Sequence, residues 1–122
     1  LRLDPPLGNK SDMIALRKGV IEGIIDAIAI DHTAYTYEEK TVAFADAPPG
    51  AIGYELALSL LWQNLVETGE FTPLQLWRPL SSSPAQCLQQ KVSKITPNQP
   101  CELVLFDPQQ TWTVKQTNLH TL

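Results

Sequence analysis

The run Ile25–Ile30 (IDAIAI) is short, apolar and rich in isoleucine, and it ends on Asp31-His32. An apolar run of this length reads as a strand buried on both faces. Such a strand needs neighbours. Its backbone groups require ladder partners and its open edges invite them, so the run calls for a sheet. The residues before it are patterned as a helix. Ser11 reads as an N-cap, with Asp12 favourable at the positive end of the helix. Met13, Ile14, Leu16, Val20, Ile21 and Ile24 recur at helical spacing, and Gly23 is a natural terminator. A helix followed closely by an apolar strand is half of a βαβ unit, so the expected fold class is α/β.

The rest of the chain carries clear punctuation. Leu1–Leu3 reads as a strand end stopped by Pro5 and Pro6. Asp31 to Gly50 is polar and then proline-rich, a long loop of the kind that carries function. Ile52–Val66 reads as a helix on the strength of Leu56, Leu60, Leu61, Trp62 and Leu65. Thr72-Pro73 places a cap before a first-turn proline and predicts a helix over Pro73–Leu80. Ser83-Pro84 repeats the signal for a shorter one, and Asn98-Gln99-Pro100 is a turn. Glu102–Phe106 (ELVLF) and Thr111–Lys115 (TWTVK), separated by Asp107-Pro108, predict a β-hairpin.

Composition narrows the function. A chain of 122 residues can build one small domain with a core. Its net charge is -4 and it has no basic block, which argues against a nucleic-acid partner. No apolar stretch approaches a membrane span, and no signal peptide opens the chain. Cys87 and Cys101 fit neither a metal spacing nor a redox pair. They read as reduced, partly buried thiols of a cytoplasmic protein. The opening residues, without an initiator methionine, read like the middle of a longer protein.

The sharpest chemical candidate is Asp31. A carboxylate just past the C-terminal end of a buried strand is where α/β barrels put their chemistry. There it can ligate a divalent metal or move a proton. The competing reading is a helix cap or loop anchor. His32 could add a ligand, whereas His120 reads as a solvated tail residue. Glu38-Glu39-Lys40 reads as an exposed charged turn. Ala47-Pro48-Pro49-Gly50 is a rigid loop that either contacts a small ligand or merely connects. No Ser-His-Asp order, CxxC pair, phosphate-binding glycine loop or HExxH occurs.

These pieces, in order, are Asp4-Pro-Pro-Leu-Gly8, Asp31-His-Thr-Ala-Tyr35, Glu38-Glu-Lys40, Ala47-Pro-Pro-Gly50, Gly53-Tyr-Glu55 and Cys101-Glu-Leu-Val-Leu-Phe-Asp-Pro108. The series resembles the dihydroorotase family, of the bacterial type within the cyclic amidohydrolases. That family carries Asn-Pro-Pro-Leu-Arg, Asp-His-Ala-Pro-His, Glu-Glu-Lys, Ala-Pro-Phe-Gly, Gly-Leu-Glu and Ala-Asp-Leu-Val-Leu-Phe-Asp-Pro. The order holds along nearly the whole chain, although no single element is decisive.

The resemblance implies the C-terminal part of an amidohydrolase (β/α)8 barrel over residues 1–94. Residues 95–122 would supply the hairpin of an accessory β-domain. It implies the reversible cyclisation of carbamoyl-aspartate to dihydroorotate in pyrimidine synthesis, usually with zinc. Asp31 matches the family's metal-binding general acid or base. The family's other ligands lie upstream, so this chain alone would hold no zinc and would be inactive. The substrate-contacting positions depart from the family. Asp4 stands for Asn, Tyr35 for His, and Pro49 for the Phe before Gly50. A carboxylate at 4 repels an anionic substrate, and a tyrosine at 35 offers no cation. The resemblance therefore also admits a non-catalytic homologue that assembles with aspartate transcarbamoylase. A barrel piece with open edges and faces is expected to form a homo-oligomer.

Overall fold

The computed structural model of the chain describes residues 2–100 and 102–121. The first helix, α1 (Lys10–Ile21), starts before Ser11. Asn9 is the N-cap, and its side chain accepts from the N–H groups of Ser11 at 2.8 Å and Asp12 at 3.1 Å. Asp12 returns the favour by accepting from the Asn9 N–H at 2.9 Å, so the capping box is reciprocal. Gly23, at φ +71, ends the helix as its sequence suggests. The Gly23 N–H reaches the Val20 carbonyl at 3.2 Å, and the Ile24 N–H reaches Gly19 at 2.9 Å. Those two bonds are the Schellman arrangement that a left-handed glycine permits.

The expected strand does not form. Ile25–Ile30 joins no ladder, and within 26–30 its backbone is anchored through the Ile28 N–H, which donates to the Pro79 carbonyl at 2.9 Å. Among the described residues the one β pairing is a parallel bridge between His32 and Ala51, with the Thr33 N–H on the Ala51 carbonyl at 3.0 Å. The expected hairpin is likewise unpaired. Asp107 folds its turn by accepting from the Gln109 N–H at 2.9 Å, but residues 102–106 and 111–115 do not ladder. The physical reason is common to both segments. A helix closes its own hydrogen bonds, whereas a strand exists only when another strand completes it.

Helices elsewhere follow their local signals. A short α2 (Tyr37–Lys40) starts at Thr36, whose hydroxyl caps Glu39. The next helix, α3 (Ala57–Leu61), runs into a π-helical turn over Trp62–Val66, closed by the Glu67 N–H on the Trp62 carbonyl at 3.1 Å. Thr72 and Gln75 form a second capping box at the head of α4 (Pro73–Leu80), with Pro73 in the first turn as expected. A further short helix, α5 (Ser82–Cys87), and a 3-10 turn at Gln116–Asn118 complete the chain.

The core lies where α4 meets the π turn and α1. Leu65, Phe71 and Leu76 are its buried centre, and Leu76 is wholly enclosed. Val20, Ile28, Leu61, Trp62, Val66 and Leu80 pack around it. The Phe71 N–H donates to the Leu65 carbonyl at 2.7 Å, which ties the loop before α4 to the π turn. An ion pair between Arg17 and Glu70 at 2.6 Å joins α1 to the same loop. Phe106 presents its ring edge-on to Trp62 and Trp77, at 5.1 and 5.9 Å, and so docks the C-terminal stretch on the helices.

Much apolar surface stays open. Leu105 is fully exposed, and Leu103, Val104, Ile95 and Leu7 are exposed as well. Cys87, in the last turn of α5, is also exposed, against the expectation of a partly buried thiol. The readings placed on Cys101 and Leu1 lie outside the described residues. Among the described residues no helix is long and apolar enough to cross a membrane.

Candidate functional site

The site is best built outward from His32. The bridge to Ala51 holds its backbone, and its half-buried ring has both nitrogens engaged. Nδ1 accepts from the N–H groups of Gly53 at 3.2 Å and Tyr54 at 3.0 Å. A nitrogen that accepts carries no proton, so the ring proton is assigned to Nε2. From there it donates to the Thr121 hydroxyl at 3.0 Å. Tyr54 adds an edge-on ring contact at 6.2 Å. In this geometry His32 has no lone pair to offer a metal, contrary to the ligand role suggested by its place beside Asp31.

Glu55 completes the junction. Its carboxylate accepts from the His120 N–H at 2.9 and 3.2 Å, one distance to each oxygen, and from the Thr121 N–H at 3.1 Å. His120 therefore departs from a free tail. Its side chain is exposed, but its backbone is held.

Asp31 stands at the entrance to this junction. It is exposed, at φ +50, and no hydrogen bond or ion pair to its carboxylate is seen among the described residues. The left-handed backbone turns the chain from the Ile25–Ile30 run into the bridge at His32, a conformation that aspartate tolerates better than most residues. The carboxylate is available as an acceptor, a ligand or a base.

A second cluster forms around Gly50. The Gly50 N–H donates to the Arg2 carbonyl at 3.0 Å. The Arg2 guanidinium donates to the carbonyls of Ala45 and Ala47, at 2.6 and 2.8 Å. Lys40 donates to the carbonyls of Pro48 and Gly50, at 2.7 and 2.8 Å, and its ammonium lies 4.9 Å from the centre of the Tyr35 ring. Two cations thus hold the Pro48-Pro49 loop by its carbonyls, which have no prolyl N–H to pair with. Lys40 is half-buried, so the expected exposed charged turn applies to Glu38 and Glu39 only. Gly50, at φ +138, lies so close to Thr33 and Tyr35 that an added Cβ would meet them at 2.8 and 3.1 Å.

The structure therefore brings Tyr35 and Gly50 into contact, with Pro49 half-buried beside them in the same loop. Asp4 lies exposed two residues beyond the Arg2–Gly50 bond. Asp31 is linked to this cluster only through His32 and Thr33. Among the described residues no group of three or more His, Cys, Asp or Glu side chains could hold a metal ion. Of the side chains that organise the site, Thr121 escapes sequence reasoning, as do the partners of His32, Lys40 and Glu55. Gly53-Tyr-Glu55 belongs to the motif series, yet the partners of Glu55 lie 65 and 66 residues away.

No protein-family model matches the chain. Individual relatives do. A probable dihydroorotase-like protein of Synechocystis sp. is 55% identical over 121 residues, covering 99% of this chain and 26% of that protein. The dihydroorotase of Mycobacterium tuberculosis is 38% identical over 121 residues, covering 97% of this chain and 28% of its own length. That of Pelotomaculum thermopropionicum is 37% identical over 107 residues, covering 88% and 25%. The chain spans about a quarter of the length of these curated relatives. Along nearly its whole length the chain is thus a homologue of one segment of proteins named dihydroorotase or dihydroorotase-like.

Proposed function

We propose that this chain is the C-terminal portion of a dihydroorotase-like cyclic amidohydrolase of pyrimidine biosynthesis, a cytoplasmic enzyme that interconverts carbamoyl-aspartate and dihydroorotate. The observation that carries the reading is 38% identity to a dihydroorotase along 97% of the chain. In this reading residues 1–94 close a (β/α)8 barrel and residues 95–122 belong to an accessory β-domain. The unpaired segments Ile25–Ile30, 102–106 and 111–115 then find their ladder partners in the remainder of the protein. The open apolar surface is in keeping with burial by that remainder and with a homo-oligomer.

Asp31 is the residue assigned to chemistry. In the hydrolytic direction water attacks the ring carbonyl and gives up a proton to the carboxylate. The carboxylate returns it to the departing ring nitrogen. Tyr35, Pro49, Gly50 and Asp4 border the substrate. Zinc is the metal that the resemblance implies, but the residues present do not fit it. Asp31 is one carboxylate and both nitrogens of His32 are engaged, whereas zinc takes three or four protein ligands. Any such ion would rely on ligands outside this chain, and the 122-residue chain alone is inactive.

The test is turnover of dihydroorotate by the longer protein with and without Asp31→Asn. Loss of about 10²- to 10⁴-fold in kcat supports the assignment. Unchanged kcat overturns it. A protein without turnover at all supports a second reading, a non-catalytic homologue that assembles with aspartate transcarbamoylase. Two observations favour that reading. Asp4, Tyr35 and Pro49 depart from the family at substrate positions, and the relative at 55% identity is named only dihydroorotase-like. Sedimentation of the longer protein with aspartate transcarbamoylase decides whether the two associate.

A further inference from the structure

We propose that Glu55 and His32 form a latch that clamps the stretch His120-Thr121 against the loop carrying Asp31, and that both act as positioning residues for Asp31. Three stretches distant in sequence meet there. The Glu55 carboxylate gathers two consecutive backbone N–H groups, of His120 and Thr121, at 2.9 to 3.2 Å. Consecutive N–H groups converging on one carboxylate fix the direction of the captured backbone as well as its position. That direction brings the Thr121 hydroxyl to Nε2 of His32 at 3.0 Å.

On its other side the imidazole is seated by the N–H groups of Gly53 and Tyr54 at 3.2 and 3.0 Å, immediately before Glu55 in the chain. The two latch residues are therefore coupled. The same short stretch that seats the histidine also supplies the carboxylate that grips His120-Thr121. His32 directly follows Asp31, whose φ of +50 is a backbone conformation that must be held by its surroundings. The surroundings on the page are the bridge of His32 to Ala51 and the two bonds of Nδ1. Thr121 fixes the ring from outside, so the clamped stretch stabilises the orientation of the residue that sets the Asp31 backbone.

This inference shares Asp31 with the proposed function, but its test measures no turnover, so the two fail separately. The experiment is nitrogen-15 NMR on the longer protein, with labelled histidine, aspartate and threonine, as wild type, Thr121→Val, Thr121→Ser and Glu55→Ala. In the wild type Nδ1 of His32 gives the signal of an acceptor and the ring proton sits on Nε2. Thr121→Val shifts the Nε2 signal, speeds amide exchange of His120 and Thr121 by about tenfold, and moves the Asp31 and Thr33 amide signals. Thr121→Ser, which keeps the hydroxyl, restores all of them. Glu55→Ala, which leaves no acceptor for the His120 and Thr121 N–H groups, releases that stretch while the Gly53 and Tyr54 amides stay bonded to Nδ1. A ring proton on Nδ1 in the wild type overturns the latch. Faster exchange of His120 and Thr121 in Thr121→Val, with Asp31 and Thr33 unmoved, overturns the positioning role.

Discussion

Leu76→Ala is the most informative perturbation of the fold, because Leu76 is, among the described residues, the side chain most fully enclosed in a small core. The substitution removes three carbons from contact with the Leu65 and Phe71 cluster. At about 0.8 kcal/mol for each buried methylene, the transfer loss is about 2.4 kcal/mol. If the site leaves about 50 Å³ unfilled, the cavity adds about 1 kcal/mol at roughly 24 cal/mol per Å³. The expected cost is therefore about 3 to 4 kcal/mol. The internal control is Leu74→Ala on the same helix. Leu74 is 55% exposed, so its truncation is expected to cost within about 0.5 kcal/mol. Urea titration followed by tryptophan fluorescence reads both, since Trp62 packs on the core and Trp77 lies on α4. A loss below about 1 kcal/mol for Leu76→Ala, or equal losses for the two variants, would show that the cluster is not the centre of stability.

Gly50→Ala is expected to cost at least about 1 to 3 kcal/mol, from φ +138 together with the 2.8 Å approach to Thr33, and differential scanning calorimetry reads it as a lowered Tm. Thr72→Ala removes the hydroxyl of the α4 capping box and should cost about 1 kcal/mol in the same urea assay; no change would mean the cap is redundant. Lys40→Met is expected to speed amide exchange at Gly50 by about tenfold, since the carbonyls of Pro48 and Gly50 lose a shared cation. Light scattering of the chain is expected to rise with concentration because Leu103, Val104 and Leu105 lie open, and a monomer at all concentrations would refute that.

What the sequence reveals about this chain divides along the range of the forces involved. The Thr72-Pro73 signal predicts α4 with its observed bounds, because a cap and a first-turn proline act within a few residues. The Gly23 terminator is legible for the same reason. At α1 the signal sits two residues out of place. Asn9 rather than Ser11 takes the cap, and Asp12 anchors the box from the third helical position. The π turn at Trp62–Val66 has no signature in the heptad-like leucine spacing, which fits an ordinary helix equally well. Strand expectations at Ile25–Ile30 and in the ELVLF and TWTVK segments depend on partners that sequence pattern cannot supply. In the candidate site, Asp31 is proposed from its position after an apolar run. His32, Glu55 and Lys40 stand out in the sequence, but the backbone groups they hold do not, since that proximity is a product of folding. The charged look of Glu38-Glu39-Lys40 even misdirects, for Lys40 works half-buried against carbonyls.

The bond from Ile28 to Pro79 carries a consequence for how the apolar run can be used. The Pro79 carbonyl is one of the last in α4, where a helix runs out of donors of its own, so the Ile28 N–H fills a gap that water would otherwise fill. Among the described residues the run 26–30 is therefore held by one backbone hydrogen bond and by the packing of Ile28 on the core. To enter a sheet with Ile28 still packed on the core, its backbone gives up that hydrogen bond and melts no helix, while the helix end reverts to water at little loss. In the proposed barrel reading, the run can therefore pair after the helices have assembled without melting any of them.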